Sequence, residues 1–309
     1  MAYNLKEQMS KSERFEAGHR LCAGCGAGIT CRAMMRAMEP GDKAVICNAT
    51  SCLEVSSFQY PFTAWDDSYI HAAFENTSAV AAGVESAYKV MKRKGKIQDN
   101  FKILAIGGDG GTYDIGFQSL SGALERGHDF TYFCYDNEAY MNTGTQRSSA
   151  TPRFASATTT PAGVESVGKK QNQKDLTQIV VAHGSPYVAQ TTFLGNFKDF
   201  HEKAHKAIYT EGPTFVNVLC PCPRGWQYSA ELLPEICRLA VDTCIWPLYE
   251  VENGEYHLTY MPKKKLPVEE FMKLQGRFRH CFKPGNEWTI EAAQNYVDEK
   301  WEALLAKCK

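Results

Sequence analysis

No apolar run in the chain approaches the ~18 residues that a membrane-crossing helix requires. Its first ten residues, Met-Ala-Tyr-Asn-Leu-Lys-Glu-Gln-Met-Ser, are too polar for a secretory leader. A cytoplasmic protein with no membrane partner is therefore expected. An excess of charge of one sign is also missing: 34 Lys and Arg stand against 35 Asp and Glu. Without such a field there is nothing to attract nucleic acid, and Lys263-Lys264-Lys265 reads as a solvated turn. Two nucleotide-binding signatures are absent. The G-x-G-x-x-G fingerprint fails because Tyr113 stands where its last glycine belongs, and no G-x-x-x-x-G-K-[ST] occurs. A second C-x-x-C is missing too, which argues against a zinc ribbon. No repeat, low-complexity tract or Pro/Gly/Ser-rich linker divides the 309 residues.

Cysteine, by contrast, is plentiful, at 12 residues. A cytoplasmic chain of this size keeps its thiols reduced, so clustered cysteines point to metal or redox chemistry over disulfides. Cys22-Ala-Gly-Cys25 is the one C-x-x-C, with two thiolates spaced to grip a single metal centre. Dithiol redox activity competes with that reading, although the motif does not open a βαβ unit. Further sulfur ligands have to come from scattered positions. Cys52, within Thr50-Ser-Cys-Leu-Glu54, and Cys222, within Cys220-Pro-Cys-Pro-Arg-Gly-Trp226, lie in turn-rich settings, but spacing alone does not select them.

The densest signal is Gly107-Gly108-Asp109-Gly110-Gly111. It follows an apolar run, Phe101–Ile106, that reads as a buried parallel strand, and it precedes a helix-like stretch, Asp114–Arg126, closed by Gly127. A second strand, Asp129–Asp136, then delivers Asn137. Glycines at a strand-to-helix turn let backbone amides approach a phosphate, and the helix amino end favours its charge. Asp109 and Asn137 supply hard oxygens at the ends of neighbouring strands, as Mg2+ holding a diphosphate requires. The bland alternative is a glycine-rich turn with an incidental aspartate; the asparagine one strand later weighs against it. GDG followed by Asn at this spacing resembles the diphosphate motif of thiamine diphosphate enzymes.

Seven segments carry a closer resemblance. They are Gly18-His-Arg-Leu-Cys22-Ala-Gly-Cys25-Gly26, Cys52-Leu-Glu-Val55, Tyr60-Pro-Phe-Thr-Ala-Trp65, Phe74-Glu-Asn76, Gly108-Asp-Gly-Gly-Thr112, Tyr135–Gly144 and Pro221–Trp226. In this order they resemble the β subunit of pyruvate:ferredoxin oxidoreductase and its 2-oxoacid:ferredoxin oxidoreductase relatives. The likeness runs from about Gly18 to Trp226 and continues more weakly beyond.

That resemblance implies roles for individual residues. Cys22, Cys25, Cys52 and Cys222 fall where the family ligates a [4Fe-4S] cluster, although Cys220, two residues away, competes with Cys222. Asp109, the Asn137 side chain and the Ala139 carbonyl match the Mg2+ ligands. Gly108 and Gly110 flank the diphosphate, and Asn142 lies where a polar side chain sits beside substrate and cofactor. Local context alone adds the hydroxyls of Thr50, Ser51 and Thr143 as cofactor hydrogen-bond candidates. The implied activity is CoA-dependent, reversible oxidative decarboxylation of pyruvate with electrons passed to ferredoxin. Oxalate, phenylglyoxylate or a branched-chain 2-oxoacid is the alternative substrate, and a non-catalytic iron-sulfur electron-transfer subunit is the alternative class. Nothing here resembles a pyrimidine-binding domain or a C-x-x-C-x-x-C-x-x-x-C-P run. The implied hetero-oligomer therefore adds a pyrimidine-domain α subunit, a ferredoxin-like two-cluster subunit and a further γ-type subunit. The expected fold is an open, mostly parallel α/β sheet over residues 15–245, with helices on both faces. A helical arm over residues 246–309 packs on it or on a partner.

Overall fold

The computed structural model describes residues 4–308. Short runs rich in Val, Ile, Phe and Tyr form its strands, and the central parallel ones are buried on both faces. These are β1 (Lys43–Ala49), β2 (Phe58–Gln59), β3 (Phe62–Thr63), β4 (Ser68–Ala72), β5 (Phe101–Gly108), β6 (Thr131–Asp136), β7 (Tyr187–Thr191), β8 (Thr214–Leu219), β9 (Tyr249–Glu252) and β10 (Glu255–Leu258). β2 and β3 make a separate hairpin; the other eight form one sheet in the order β10-β9-β7-β8-β6-β5-β1-β4. From β7 to β4 every pairing is parallel, while β9 and β10 join antiparallel at the β7 edge. The expected sheet, with helices on both faces, is therefore present.

Alternation along each strand divides the core. Cys47, Ala105, Tyr132 and Cys134 face the helices Thr77–Arg93 and Phe117–Glu125. Ile46, Leu104, Ile106, Phe133 and Tyr135 face Gly26–Arg36 and Phe197–Tyr209.

Two elements depart from the sequence expectations. The Asp114–Arg126 stretch begins earlier, as a wide π-helical turn over Gly110–Ile115, and becomes an α-helix only from Phe117. π-Helical turns of this kind are frequent at functional sites. Residues 246–309, expected to be helical, open with β9 and β10. Their turn is Asn253-Gly254, with φ of 50° and 88°, the conformation that closes a tight hairpin. Helices follow at Val268–Lys273 and Glu287–Leu305, with a tighter turn over Gly276–Phe282 between them. No helix among the described residues is long and apolar enough to cross a membrane.

Candidate functional site

β1, β5, β6 and β8 lie side by side, paired in register through Ile106↔Asn48, Gly108↔Tyr135 and Asp136↔Leu219. Beyond their carboxyl ends come Cys52, Asp109, Asn137 and Cys222 in turn. One edge of the sheet thus gathers two thiols and two oxygen donors, where parallel α/β sheets bind ligands.

Asp109 is 1% exposed. Ser148 Oγ donates to its Oδ2 at 2.5 Å, and the Asn137 backbone N–H donates to Oδ1 at 3.4 Å. Burial pushes the Asp109 carboxyl up to about 7, a rise that the Ser148 and Asn137 hydrogen bonds limit and the nearby Glu138 adds to. One atom of the Asn137 amide lies 2.9 Å from both Asp109 Oδ1 and the Ala139 carbonyl oxygen. As nitrogen that atom donates to both. Turned over, the amide offers an oxygen instead, which then stands 2.9 Å from each of two other oxygens, a crowding that a cation relieves. Neighbouring corners of an octahedron with bonds of about 2.0–2.1 Å stand about 2.9 Å apart, so the spacing fits Mg2+ and is tight for Ca2+.

The loop is built to hold this shape. Glu138 adopts a left-handed φ of 65°, rare outside glycine. Its N–H donates to Asp136 Oδ1 at 2.9 Å, and its carbonyl accepts from Thr151 Oγ1 at 2.6 Å. Gly110 has to be glycine, because a Cβ there would stand 2.6 Å from the Tyr140 ring.

The thiols gather beside the oxygens. Gly26 N–H donates to the Pro221 carbonyl at 3.1 Å, which brings the Cys22–Cys25 loop against Cys222. Leu53 N–H donates to Tyr135 Oη at 3.4 Å and anchors the Cys52 helix over β6. Burial raises the Cys25 thiol to about 11 and the Cys52 thiol to about 12, and repulsion among Cys22, Cys25, Cys52 and Cys222 adds to both. Backbone amides oppose that rise at Cys25 and Cys222, where Gly225 N–H donates to Cys222 Sγ at 3.4 Å. Cys25 and Cys222 cap helix amino ends and Cys52 begins one, so three positive helix ends accompany these sulfurs. Among the described residues no three His, Cys, Asp or Glu side chains converge as they would on a single ion. The mutual repulsion of Cys22, Cys25, Cys52 and Cys222 places the four thiols in one neighbourhood, next to Asp109. Cys220 is buried and donates instead to Thr30 Oγ1 at 3.4 Å.

The other expected positions are engaged within the chain. Thr50 Oγ1 lies 2.9 Å from His71 Nε2, Ser51 Oγ donates to the Ala49 carbonyl at 2.9 Å, and Thr143 Oγ1 donates to Gln146 Oε1 at 2.5 Å. Asn142 is exposed, one residue after Met141. Sequence reasoning missed Ser148, Trp226 and Arg277. Ser148 lies in the Ser- and Thr-rich segment 147–172, whose composition flagged the loop but not the residue.

Three comparisons bear on this arrangement. Residues 47–218 match the C-terminal TPP binding domain of thiamine pyrophosphate enzymes. Pyruvate synthase subunit PorB of Methanocaldococcus jannaschii is 52% identical over 96% of this chain and 98% of its own length. Ketoisovalerate oxidoreductase subunit VorB of Pyrococcus furiosus is 44% identical over 97% and 96%. A solved structure of 2-oxoglutarate:ferredoxin oxidoreductase from Magnetococcus marinus, with 2-oxoglutarate, coenzyme A and succinyl-CoA bound, shares the fold. It has a TM-score of 0.56 and 22% identity over 73% of this chain and 79% of that one. With this matched domain and near full-length identity, the chain belongs to the family of pyruvate synthase subunit PorB, among the thiamine-dependent 2-oxoacid oxidoreductases.

Proposed function

We propose that this chain is the β subunit of a 2-oxoacid:ferredoxin oxidoreductase that acts on pyruvate. In this reading it holds thiamine diphosphate through Mg2+ and carries one [4Fe-4S] cluster. The observation that carries the reading is the 2.9 Å spacing of the Asp109, Asn137 and Ala139 atoms beside four thiols at one sheet edge. When bound, thiamine diphosphate supplies the carbanion sink for 2-oxoacid decarboxylation, and the cluster takes up electrons singly.

The chain's own residues bind and orient. Asp109, Asn137 and Ala139 hold the metal, and Ser148 fixes the Asp109 carboxylate by donating to its second oxygen. The Gly108–Gly110 turn gives the diphosphate close backbone approach. Cys22, Cys25, Cys52 and Cys222 bind the iron, and Asn142 presents its amide to the substrate. Tyr60 and Phe62 are 89% and 77% exposed, which suits a chain that buries surface in an assembly. The assembly adds the pyrimidine-domain α subunit, a ferredoxin-like two-cluster subunit and a γ-type subunit, with CoA as co-substrate and external ferredoxin as acceptor. The 44% identity to a ketoisovalerate enzyme subunit favours a branched-chain 2-oxoacid as the second reading.

The test is reduction of a low-potential acceptor by the anaerobically purified complex, with CoA and thiamine diphosphate. Pyruvate, 2-ketoisovalerate, phenylglyoxylate and oxalate are supplied in parallel. Turnover with pyruvate above the others supports the reading, and turnover only with another acid moves the substrate. No turnover with any acid, despite full iron and thiamine content, refutes it.

Asp109 also sets a pH dependence. Its carboxyl, ordinarily near 3.8, is raised to about 7. In the metal-free chain its contribution to stability is therefore complete below the ordinary carboxylate range and is lost as pH rises through about 7. Mg2+ selects the ionised form, so its affinity runs the other way. The rise in melting temperature on adding Mg2+ and thiamine diphosphate to the depleted complex is expected to be larger at pH 8 than at pH 6. An equal rise at both values would contradict metal binding at this carboxylate.

A further inference from the structure

We propose that Arg277 is a positioning residue that locks the Cys222 loop to the Asn137–Ala139 loop, so that the two cofactor sites are held as one unit. The inference rests on the proposed function. Arg277 lies in the turn Gly276–Phe282, far along the chain from either loop, and is 2% exposed.

Its Nη2 stands 2.5 Å from Glu138 Oε2, on the residue between the two metal-loop ligands. The guanidinium carbon also lies 3.7 Å from the centroid of the Trp226 ring. Trp226 ends the short helix that Cys222 caps, and its Nε1 donates to the Asn137 carbonyl at 2.7 Å. The four residues therefore close a circuit: Arg277 to Glu138, along the backbone to Asn137, across to Trp226, and back to Arg277. A second contact reinforces it. A Cβ on Gly225 would lie 2.1 Å from Met141 Sδ, so the cluster loop presses directly on the residue before Asn142.

Arginine suits this place because its flat, delocalised guanidinium can lie against an indole while one of its nitrogens meets a carboxylate, here as a close ion pair and not an aligned hydrogen bond. Lysine keeps the charge but not the flat contact. The guanidinium is itself fixed, with Nε donating to Gln275 Oε1 at 2.8 Å. Its backbone carbonyl accepts from Ser156 N–H at 2.9 Å, and Gly276 N–H donates to the Gln227 carbonyl at 3.1 Å. The residues after Trp246 thus reach back into the site.

A purely structural ion pair would behave differently. Buried pairs can often be replaced by neutral groups with no consequence beyond stability. The test uses the complete complex carrying Arg277→Lys, Trp226→Phe, or Arg277→Met combined with Glu138→Gln, which removes both buried charges together. Three quantities are read: melting temperature, half-saturating thiamine diphosphate at fixed Mg2+, and the electron paramagnetic resonance spectrum of the reduced cluster in iron-replete protein.

The double variant is expected to raise half-saturation by about 10–100-fold, the usual cost of losing support behind a metal ligand, and to change the cluster spectrum while iron is retained. Arg277→Lys, which keeps the charge without the stacking, is expected to restore most of the cofactor affinity but not the spectrum. Trp226→Phe keeps a ring, loses the bond to Asn137, and should move both readouts. If the double variant does not assemble, Trp226→Phe decides. A fall in melting temperature with half-saturation and spectrum unchanged overturns the inference while leaving the proposed function intact. A wild-type complex lacking iron or thiamine binding overturns both.

Discussion

Asp109→Asn is expected to stabilise the metal-free chain and at the same time to disable it. The carboxyl is fully buried and its pKa raised to about 7, so at pH 8 the metal-free fold carries an ionised group that burial disfavours. A neutral amide of the same shape removes that cost, worth roughly 1–3 kcal/mol when the repulsion shared with Asp136 and Glu138 is allowed for. Function should move the other way. Losing support behind a ligand already costs about 10–100-fold in metal affinity, and the loss of a charged ligand exceeds that. Half-saturation by Mg2+ and thiamine diphosphate should therefore rise more than about 100-fold while the melting temperature of the depleted complex rises. A gain in stability alongside a loss of affinity identifies a residue kept for chemistry at the expense of the fold. A lower melting temperature together with weaker binding would mean that Asp109 is a structural group.

The second large effect concerns the thiols. Cys52→Ala or Cys222→Ala is expected to remove the iron of one cluster per chain and to reduce acceptor reduction to background. Thiamine diphosphate binding should survive, because Asp109, Asn137 and Ala139 are untouched. Cys220→Ala is the matched control: its thiol is buried and turned toward Thr30, so iron content should stay at the wild-type level. Iron and acid-labile sulfide analysis of the three purified complexes checks all of this. Loss of iron in the Cys220 variant, or its retention in the Cys222 variant, would transfer the ligand role to the neighbouring cysteine.

Much of the sheet was legible because parallel strands buried on both faces are continuous apolar runs. β1, β5, β6, β7 and β8 all coincide with such runs. β4 does not, because Ser68-Tyr-Ile-His-Ala72 lies at the sheet edge, where four of its residues are half-buried or exposed in a polar-apolar mixture. The β9–β10 hairpin had a local signal in Asn253-Gly254, but the amphipathic helical pattern downstream dominated the reading of that region. At the site, Asp109 and Asn137 were readable because glycine and strand context constrain them locally. The cysteines were less so: only Cys22 and Cys25 carry a spacing, and Cys52 and Cys222 entered by resemblance. Ser148 and Arg277 carry no local pattern. Their importance arises from contacts with residues far away in sequence, to Asp109 and to Glu138, and only the folded chain brings those together.

The side-by-side delivery of groups from β1, β5, β6 and β8 also has a consequence for how the protein is made. The first thiol of the proposed cluster site is residue 22 and the last is residue 222, so 200 residues separate them. At ~5–20 residues per second, the first two cysteines leave the ribosome roughly 10–40 s before the fourth exists. β8, which brings Cys222 to the site, lies between β6 and β7, so the sheet around the site is complete only once β8 has been made. If the proposed cluster is bound, iron loading belongs to the finished sheet, and during synthesis the early cysteines meet oxygen as free thiols before any cluster forms.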